Sequence, residues 1–326
     1  MPQREQLGLF GAAEEAAAAE PLHPVAASEE LALLGRRLPE ALLLGTSSWS
    51  FPGWRGIVWA ARGRAPSRQL LARAGLAAYA RHPLFRSVGL DRTYYGPIPR
   101  EAFARYAGDV PTGFRFLVKA HDALVRPETT HFLDTEHAES RVIDPCVEGL
   151  GADKTGPLLF QFPPLELRPL GGVSGFAGRL HAFLSRLPVG PLYAVEVRNR
   201  ELATREFYAA LAESGAVPCF NLHPRMPRLG RQLAGHGAVL PPAVVVRWML
   251  HAGFGYEAAR SRYAPFDRLV DPDPDSREEV AGLVQEALRQ ARPVFVIANN
   301  KAEGSAPLSL EALARRIDEQ AGDAGG

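Results

Sequence analysis

The sequence predicts an α/β protein built as a (β/α)8 TIM-type barrel of parallel strands, preceded by a mobile N-terminal arm. Three observations carry that reading. Eight short apolar runs recur from Leu42 onwards, most are followed by a segment of helical character, and polar residues gather at the C-terminal ends of the runs. Strands alternating with helices form parallel sheets, and eight such units over roughly 280 residues suit a closed barrel. An open doubly wound sheet is the alternative. It normally carries a glycine-rich phosphate loop after its first strand, and "GTSSWSFPGW" at that place is no such loop.

In chain order the first four runs are "LLLGTS" (42–47), "FRSVGLD" (85–91), "FRFLVKAH" (114–121) and "PLLFQF" (157–162). The last four are "LYAVEVR" (192–198), "VPCFNLH" (217–223), "AVVVRWM" (243–249) and "PVFVIANN" (293–300). Helical segments read as "SRQLLARAGLAAYARH", "REAFARYAGD", "FAGRLHAFLSRL", "ELATREFYAALAESG", "SREEVAGLVQEALRQA" and, after the last run, "LSLEALARRI". Between the sixth and seventh runs, residues 224–242 are rich in Pro, Gly and Arg, and the helical signal there is weak. Residues 1–40, with "GAAEEAAAAEPLHPVAASEE", are low in complexity and read as the arm. The barrel is expected over 41–320, with a flexible tail at 321–326.

The 326 residues are 46% hydrophobic and 22% charged, with a formal net charge of +1. That near-neutrality gives no global basic footprint for nucleic acid. Cys146 and Cys219 stand in no metal or redox spacing, which argues for a reducing compartment without a disulfide framework. No apolar run is long enough for a membrane span and no signal-peptide pattern occurs, so a cytoplasmic protein with no membrane partner is expected. Of the 37 Lys+Arg, only Lys119, Lys154 and Lys301 are lysines. In so arginine-rich a chain, a lysine marks a place where a compact ammonium is wanted.

In a barrel of this kind the chemistry sits at the C-terminal mouth, and residues i and i+2 of a strand share a face. The strand ends then offer Thr46, Ser47 and Trp49; Asp91 and Thr93; Lys119 and His121; Gln161; Glu196 and Arg198; Asn221 and His223; Arg247; and Asn299 or Asn300, with Lys301 just beyond. Lys119, Arg198, Arg247 and Lys301 outnumber Asp91 and Glu196, which points to an anionic ligand carrying phosphate or carboxylate. Glu196 or Asp91 would be the general acid or base, with Lys119 and His121 as further catalytic candidates. Trp49, Tyr94 and Tyr95 would wall the site. A structural ion pair of Glu196 with Arg198 or Arg247 is the competing reading. His121, His223, Asp91 and Glu196 could converge on a divalent metal, but there is no HxH or HExxH signature and the nearby cations oppose it. No nucleotide-cofactor motif and no GxSxG nucleophile elbow occurs.

The segments "GTSSWSFPGWRG", "RTYYGPIP", "FRFLVKAH", "LLFQFPP", "AVEVRN" and "ANNKAEGSAP" fall in one order. In that order the chain resembles the domain-of-unknown-function 72 family of YecE-like proteins over about residues 42–320. The resemblance implies a TIM-type barrel and leaves activity open. It places the family's motif residues on Gly45, Thr46, Ser47 and Trp49, on Gln161, Pro163 and Pro164, on Glu196 and Arg198, on Arg247, and on Asn299 and Asn300. The departure is on strand two, where the family commonly has a "VEINSTFY"-like run and this chain has "VGLDRTYY". Gly89 stands where an acid is usual, so a mechanism needing that acid requires Asp91 to replace it from one pleat further along.

The arm carries "QLGLF" at 6–10. Gln6, Leu7, Leu9 and Phe10 look like the short peptide by which bacterial proteins dock on the replication sliding clamp, and a disordered arm suits such a peptide. Two functions therefore stand side by side. One is an enzyme or binder for an anionic, phosphate-bearing ligand at the mouth, of hydrolase or lyase type if it is an enzyme. The other is a nucleic-acid-associated protein tethered to the clamp, with the basic loop "HPRMPRLGRQ" (223–232) against DNA phosphates.

Overall fold

The computed structural model of the chain describes residues 22–60 and 66–323, with side chains to residue 322. Gln6, Leu7, Leu9 and Phe10 lie outside the described residues. Eight parallel strands close on themselves: β1 Leu42–Thr46, β2 Phe85–Leu90, β3 Arg115–Lys119, β4 Thr155–Gln161, β5 Tyr193–Glu196, β6 Val217–Leu222, β7 Val244–Trp248 and β8 Val294–Ala298. Each pairs with its neighbours in chain order and β8 pairs with β1, so the barrel itself has no unpaired edge. Every expected run holds a strand.

Both faces of these strands are covered, which is why they read as near-continuous apolar runs rather than as alternating ones. Leu43, Leu117, Leu159, Ala194, Val217, Cys219, Val245, Phe295 and Ile297 form a separate apolar cluster that fills the barrel. Residues of the other parity, such as Leu44, Val88, Phe116, Phe160, Phe220 and Val246, join the larger core against the helices. At the kink where β1 slips its register on β2, a Cβ at position 45 would lie 2.1 Å from the Ser87 carbonyl oxygen, so only Gly45 fits.

The helices follow the expected segments, several with a side-chain cap: Ser67 on the Leu70 N–H, Thr204 on Phe207 and Asp273 on Ser276. Residues 224–242, weak in helical signal, hold an eight-residue helix, Leu229–His236. Gln232 of that helix is buried and braces β6, accepting from the Asn221 N–H and donating to the Asn221 carbonyl. The connection from β3 to β4 is irregular, and a π-helical turn at Glu139–Ile143 leads into the helix Asp144–Leu150.

The arm boundary at residue 40 needs correction. A helix at Glu29–Arg37, capped by Ser28, buries Leu34 on the barrel, and His23–Pro24 pairs with Trp59–Ala60. Composition misled here because the alanines and glutamates next to this segment conceal how few apolar side chains a short docking helix needs.

Candidate functional site

One turn beyond the apolar plug, the inward-facing parity of the strands changes character. Continuing each strand by its i, i+2 rule gives Ser47, Asp91, Lys119, Gln161, Glu196, Asn221, Arg247 and Asn299, one polar residue from every strand or its first loop residue. At its centre is a buried ion cluster. Glu196 is fully buried, its Oε2 accepts from Arg247 Nη1 at 2.6 Å, and its Oε1 pairs with Arg198 Nη2. Arg247 in turn reaches Asp91, Nη2 to Oδ1, at 3.3 Å. Asp91 thus takes up a guanidinium from one pleat beyond Gly89. A Cβ at position 89 would stand 3.1 Å from the Ser47 Cα, so the first loop crowds a side chain there.

Burial by itself would push the Glu196 carboxyl up, but the Arg198 and Arg247 guanidiniums outweigh it and hold the group below its ordinary value. Burial likewise works against the Arg247 charge, and Glu196 with Asp91 reverses the effect, raising Arg247. The structural ion pair of Glu196 is therefore present, and it is double. The ammonium of Lys119 is buried, sits 3.5 Å from the Tyr94 ring centroid and has no carboxylate at ion-pair distance among the described residues. Burial pushes it down to about 8, aided by Arg247 and Arg198 and opposed by Asp91 and Glu196. Lys301 behaves alike at the rim, 4.3 Å over the Tyr256 ring and lowered to about 8 by burial.

Several expected site residues lie elsewhere. Thr46 is the last residue of β1 and turns to the helix layer, where its hydroxyl meets the Tyr79 hydroxyl at 2.9 Å. Trp49 is no wall of the mouth: it is buried, donates from Nε1 to the Leu71 carbonyl and packs edge-on against Tyr106. The two asparagines part company. Asn299 Nδ2 donates inward to the Ser47 hydroxyl, whereas Asn300 Oδ1 accepts from Trp54 Nε1 and from the Ala306 N–H, capping the last helix. His121 leaves the ring because the chain turns into the short helix Asp122–Leu124. Its Nδ1 lies 3.0 Å from His137 Nε2, with His131 stacked on His137.

Of the remaining expectations, His223 is near Arg198, is lowered to about 4 chiefly by burial, and accepts at Nδ1 from the Arg225 N–H. The Gln161 side chain donates to the Phe162 carbonyl. Tyr94 is buried beneath Lys119, and Tyr95 is left 60% exposed. Tyr256, 56% exposed, faces the same rim from the helix Tyr256–Tyr263. No motif marks it; an aromatic opening the first helix after a mouth loop is the only signal that could have. Among the described residues no three His, Cys, Asp or Glu side chains stand so as to hold a metal ion. No helix among them is long and apolar enough to cross a membrane.

A family profile described as "Protein of unknown function DUF72" matches residues 43–324. The chain belongs to the DUF72 family. Among solved structures, a DUF72 protein of Enterococcus faecalis is similar at 20% identity, over 85% of this chain and 95% of that one, with a TM-score of 0.56. A DUF72 protein of Thermotoga maritima is similar at 20% identity over 85% and 99%, with a TM-score of 0.55. These likenesses extend to the fold. No curated protein matches the chain.

Proposed function

We propose that this DUF72 barrel is an enzyme acting on a small anionic ligand, a phosphate or carboxylate, held at the mouth by Arg198, Arg247 and Lys119. The observation that carries the reading is a set of buried guanidinium donors without an acceptor. Arg198 Nη1 and Arg247 Nε have no hydrogen-bond partner among the described residues, next to an ammonium that has no counter-charge of its own. Buried donors are rarely left unpaired in native proteins, and an oxyanion satisfies guanidinium N–H groups in a fork geometry. Four cations, Lys119, Arg198, Arg247 and Lys301, here face two carboxylates, Asp91 and Glu196, so one anion can enter without reversing the local charge.

Within this reading the two carboxylates divide the work. Glu196, enclosed by two guanidiniums, fixes the arginine forks and stays ionised. Asp91, whose side chain is 33% exposed, is the group that can exchange protons with a ligand. Tyr95 and Tyr256 provide the aromatic rim in place of Trp49. The test is a thermal-shift series with inorganic phosphate, phosphate monoesters and small carboxylates on wild type and Arg198→Ala. A saturable rise in Tm that the variant loses supports the site, since ligand bound only to the native state stabilises it by mass action. A flat response to every anion overturns it.

The second reading, a sliding-clamp and DNA partner, rests on Gln6, Leu7, Leu9 and Phe10. Its basic loop is partly neutralised, because Arg228 pairs with Asp275 and Glu279. Capture by purified clamp that disappears when residues 1–12 are deleted would support it, and unchanged capture would end it.

A further inference from the structure

We propose that Lys119 is a covalent nucleophile that condenses through Nζ with the carbonyl group of an anionic substrate, an oxo acid or an aldehyde or ketone phosphate. This rests on the anion site above and adds the chemistry performed on the bound molecule.

Lys119 is the last residue of β3, on the inward face that also carries Leu117, and only 8% of it is exposed. Of the three lysines it is the one within the ring of strand-end side chains. Lys154 donates to the Ala107 carbonyl at 2.6 Å, a structural bond remote from the mouth, and Lys301 stands on the rim over Tyr256. A lysine whose task was to hold Glu196 or Asp91 would pair with one of them, yet both carboxylates are given to arginines. The Lys119 backbone is also pinned, because the buried Thr93 hydroxyl donates to its carbonyl at 2.5 Å. Its stem is directed over Tyr94, a buried ring that offers a π face and no proton acceptor at that distance.

An amine attacks only when unprotonated, and enzymes reach that state by desolvating a lysine or placing other cations beside it. Both conditions hold here. Lys119 is buried and has Arg198 and Arg247 within electrostatic reach, and its lowered value near 8 follows from them. The same two arginines would orient the substrate's carboxylate or phosphate, which sets the carbonyl carbon against Nζ.

The step balances. Asp91, the carboxylate whose charge acts most strongly on Lys119, accepts one proton from the ammonium by way of solvent, since it lies beyond ion-pair distance of Nζ. The Nζ lone pair adds to the carbonyl carbon as the C=O π pair moves to oxygen, and that oxygen takes up one of the two remaining Nζ protons to give a neutral carbinolamine. Loss of its hydroxyl as water, with the proton returned by Asp91, leaves a protonated iminium. Ammonium and carbonyl thus give iminium and water with no net gain or loss of protons. The iminium then withdraws electrons from the adjacent carbon, the requirement for C–C or C–H cleavage, so the reaction class is lyase-like rather than hydrolytic.

The experiment is reductive trapping. Intact protein is incubated with pyruvate, or with glycolaldehyde phosphate, in the presence of cyanoborohydride, which reduces an iminium to a stable secondary amine. Peptide mass mapping then reads all three lysines. The expected result is an adduct on Lys119 favoured about ten-fold over Lys154 and Lys301 with at least one probe. In Lys119→Arg the adduct should be absent, while Lys154→Arg, a change remote from the mouth, should keep both the Lys119 adduct and the probe-dependent rise in Tm. Equal labelling of the three lysines, or labelling led by Lys301, overturns the assignment. A rise in Tm with a probe but no adduct on Lys119 overturns the nucleophile and leaves the anion site standing. Neither a rise nor an adduct with either probe overturns both.

Discussion

Two fully buried glutamates, Glu196 at the mouth and Glu303 behind β8, meet the same problem and solve it differently. Glu196 has two guanidiniums and its carboxyl is held low; Glu303 has one, Arg277 at 2.5 Å, and burial carries its carboxyl above the ordinary value. Glu303 spends its remaining capacity on the backbone. Its side chain accepts from the Asp273 N–H at 2.6 Å, and its carbonyl accepts from the Val270 and Asp271 N–H groups. It is a clamp between the β8 loop and the segment leading into the helix Pro274–Arg289. Around Glu303 one guanidinium, that of Arg277, serves a carboxylate that also has Asp273 beside it. Unpaired guanidinium N–H groups occur at both, Arg277 Nε beside Glu303 and Arg198 Nη1 and Arg247 Nε beside Glu196, but only around Glu196 do the cations exceed the acids, the imbalance that the proposed anion would answer.

That contrast can be broken by taking away the arginines. Arg247→Ala leaves Glu196 and Asp91 each short of a guanidinium inside the barrel and should cost about 3–5 kcal/mol in urea unfolding. Arg277→Ala should cost less, about 1–2 kcal/mol, because a carboxyl already inclined to protonate can accept the loss as a neutral acid. Equal penalties would show that the two clusters are energetically the same.

Acid titration sharpens the same comparison. Glu196 lies below 4.5 in the folded state, so its contribution is present above 4.5 and lost as pH falls through the folded value. Glu303 lies above 4.5, so its contribution is present below 4.5 and lost as pH rises through the folded value. In Tm series from about pH 3 to about pH 7, Glu196→Gln and Glu303→Gln should therefore alter the wild-type slope in opposite senses. Changes of the same sign would contradict the assigned directions. A third group adds to the acid limb. His82 is lowered to about 4 by burial, so the folded protein resists protonation that the unfolded chain accepts from 6.5 downwards. His82→Phe should reduce the loss of Tm between those two values, and an unchanged acid limb would remove His82 from the account.

The smallest expected effect concerns Trp49. Trp49→Phe removes one buried hydrogen bond to the Leu71 carbonyl, a loss of about 1 kcal/mol, and should leave anion-induced changes in Tm intact. Loss of the anion response would return Trp49 to the mouth.

Much of this was legible in the chain. The eight strands and most of the inner ring follow from run spacing and the i, i+2 rule, because a parallel barrel buries both strand faces and lets polarity intrude only at its mouth. The rule failed where the chain leaves strand geometry. Thr46 and Asn300 have the parity of the helix layer, His121 is followed at once by a short helix, and Trp49 sits in a loop whose path no periodicity sets. Glu303 was missed because its role is set by the backbone of residues 270–273, which a reading of strand ends does not reach. The "ANNKAEGSAP" segment read as one polar feature and is two, with Asn299 inside the barrel and Asn300 and Glu303 holding the helix layer.

The most direct test of an anion-binding mouth is to locate an anion crystallographically, using selenate and its anomalous signal. A peak within hydrogen-bond distance of Arg198 Nη1, absent in Arg198→Ala, is the predicted result. Peaks confined to surface arginines, such as Arg315 and Arg316 in the crevice between the last two helices, with none at the mouth, would contradict it.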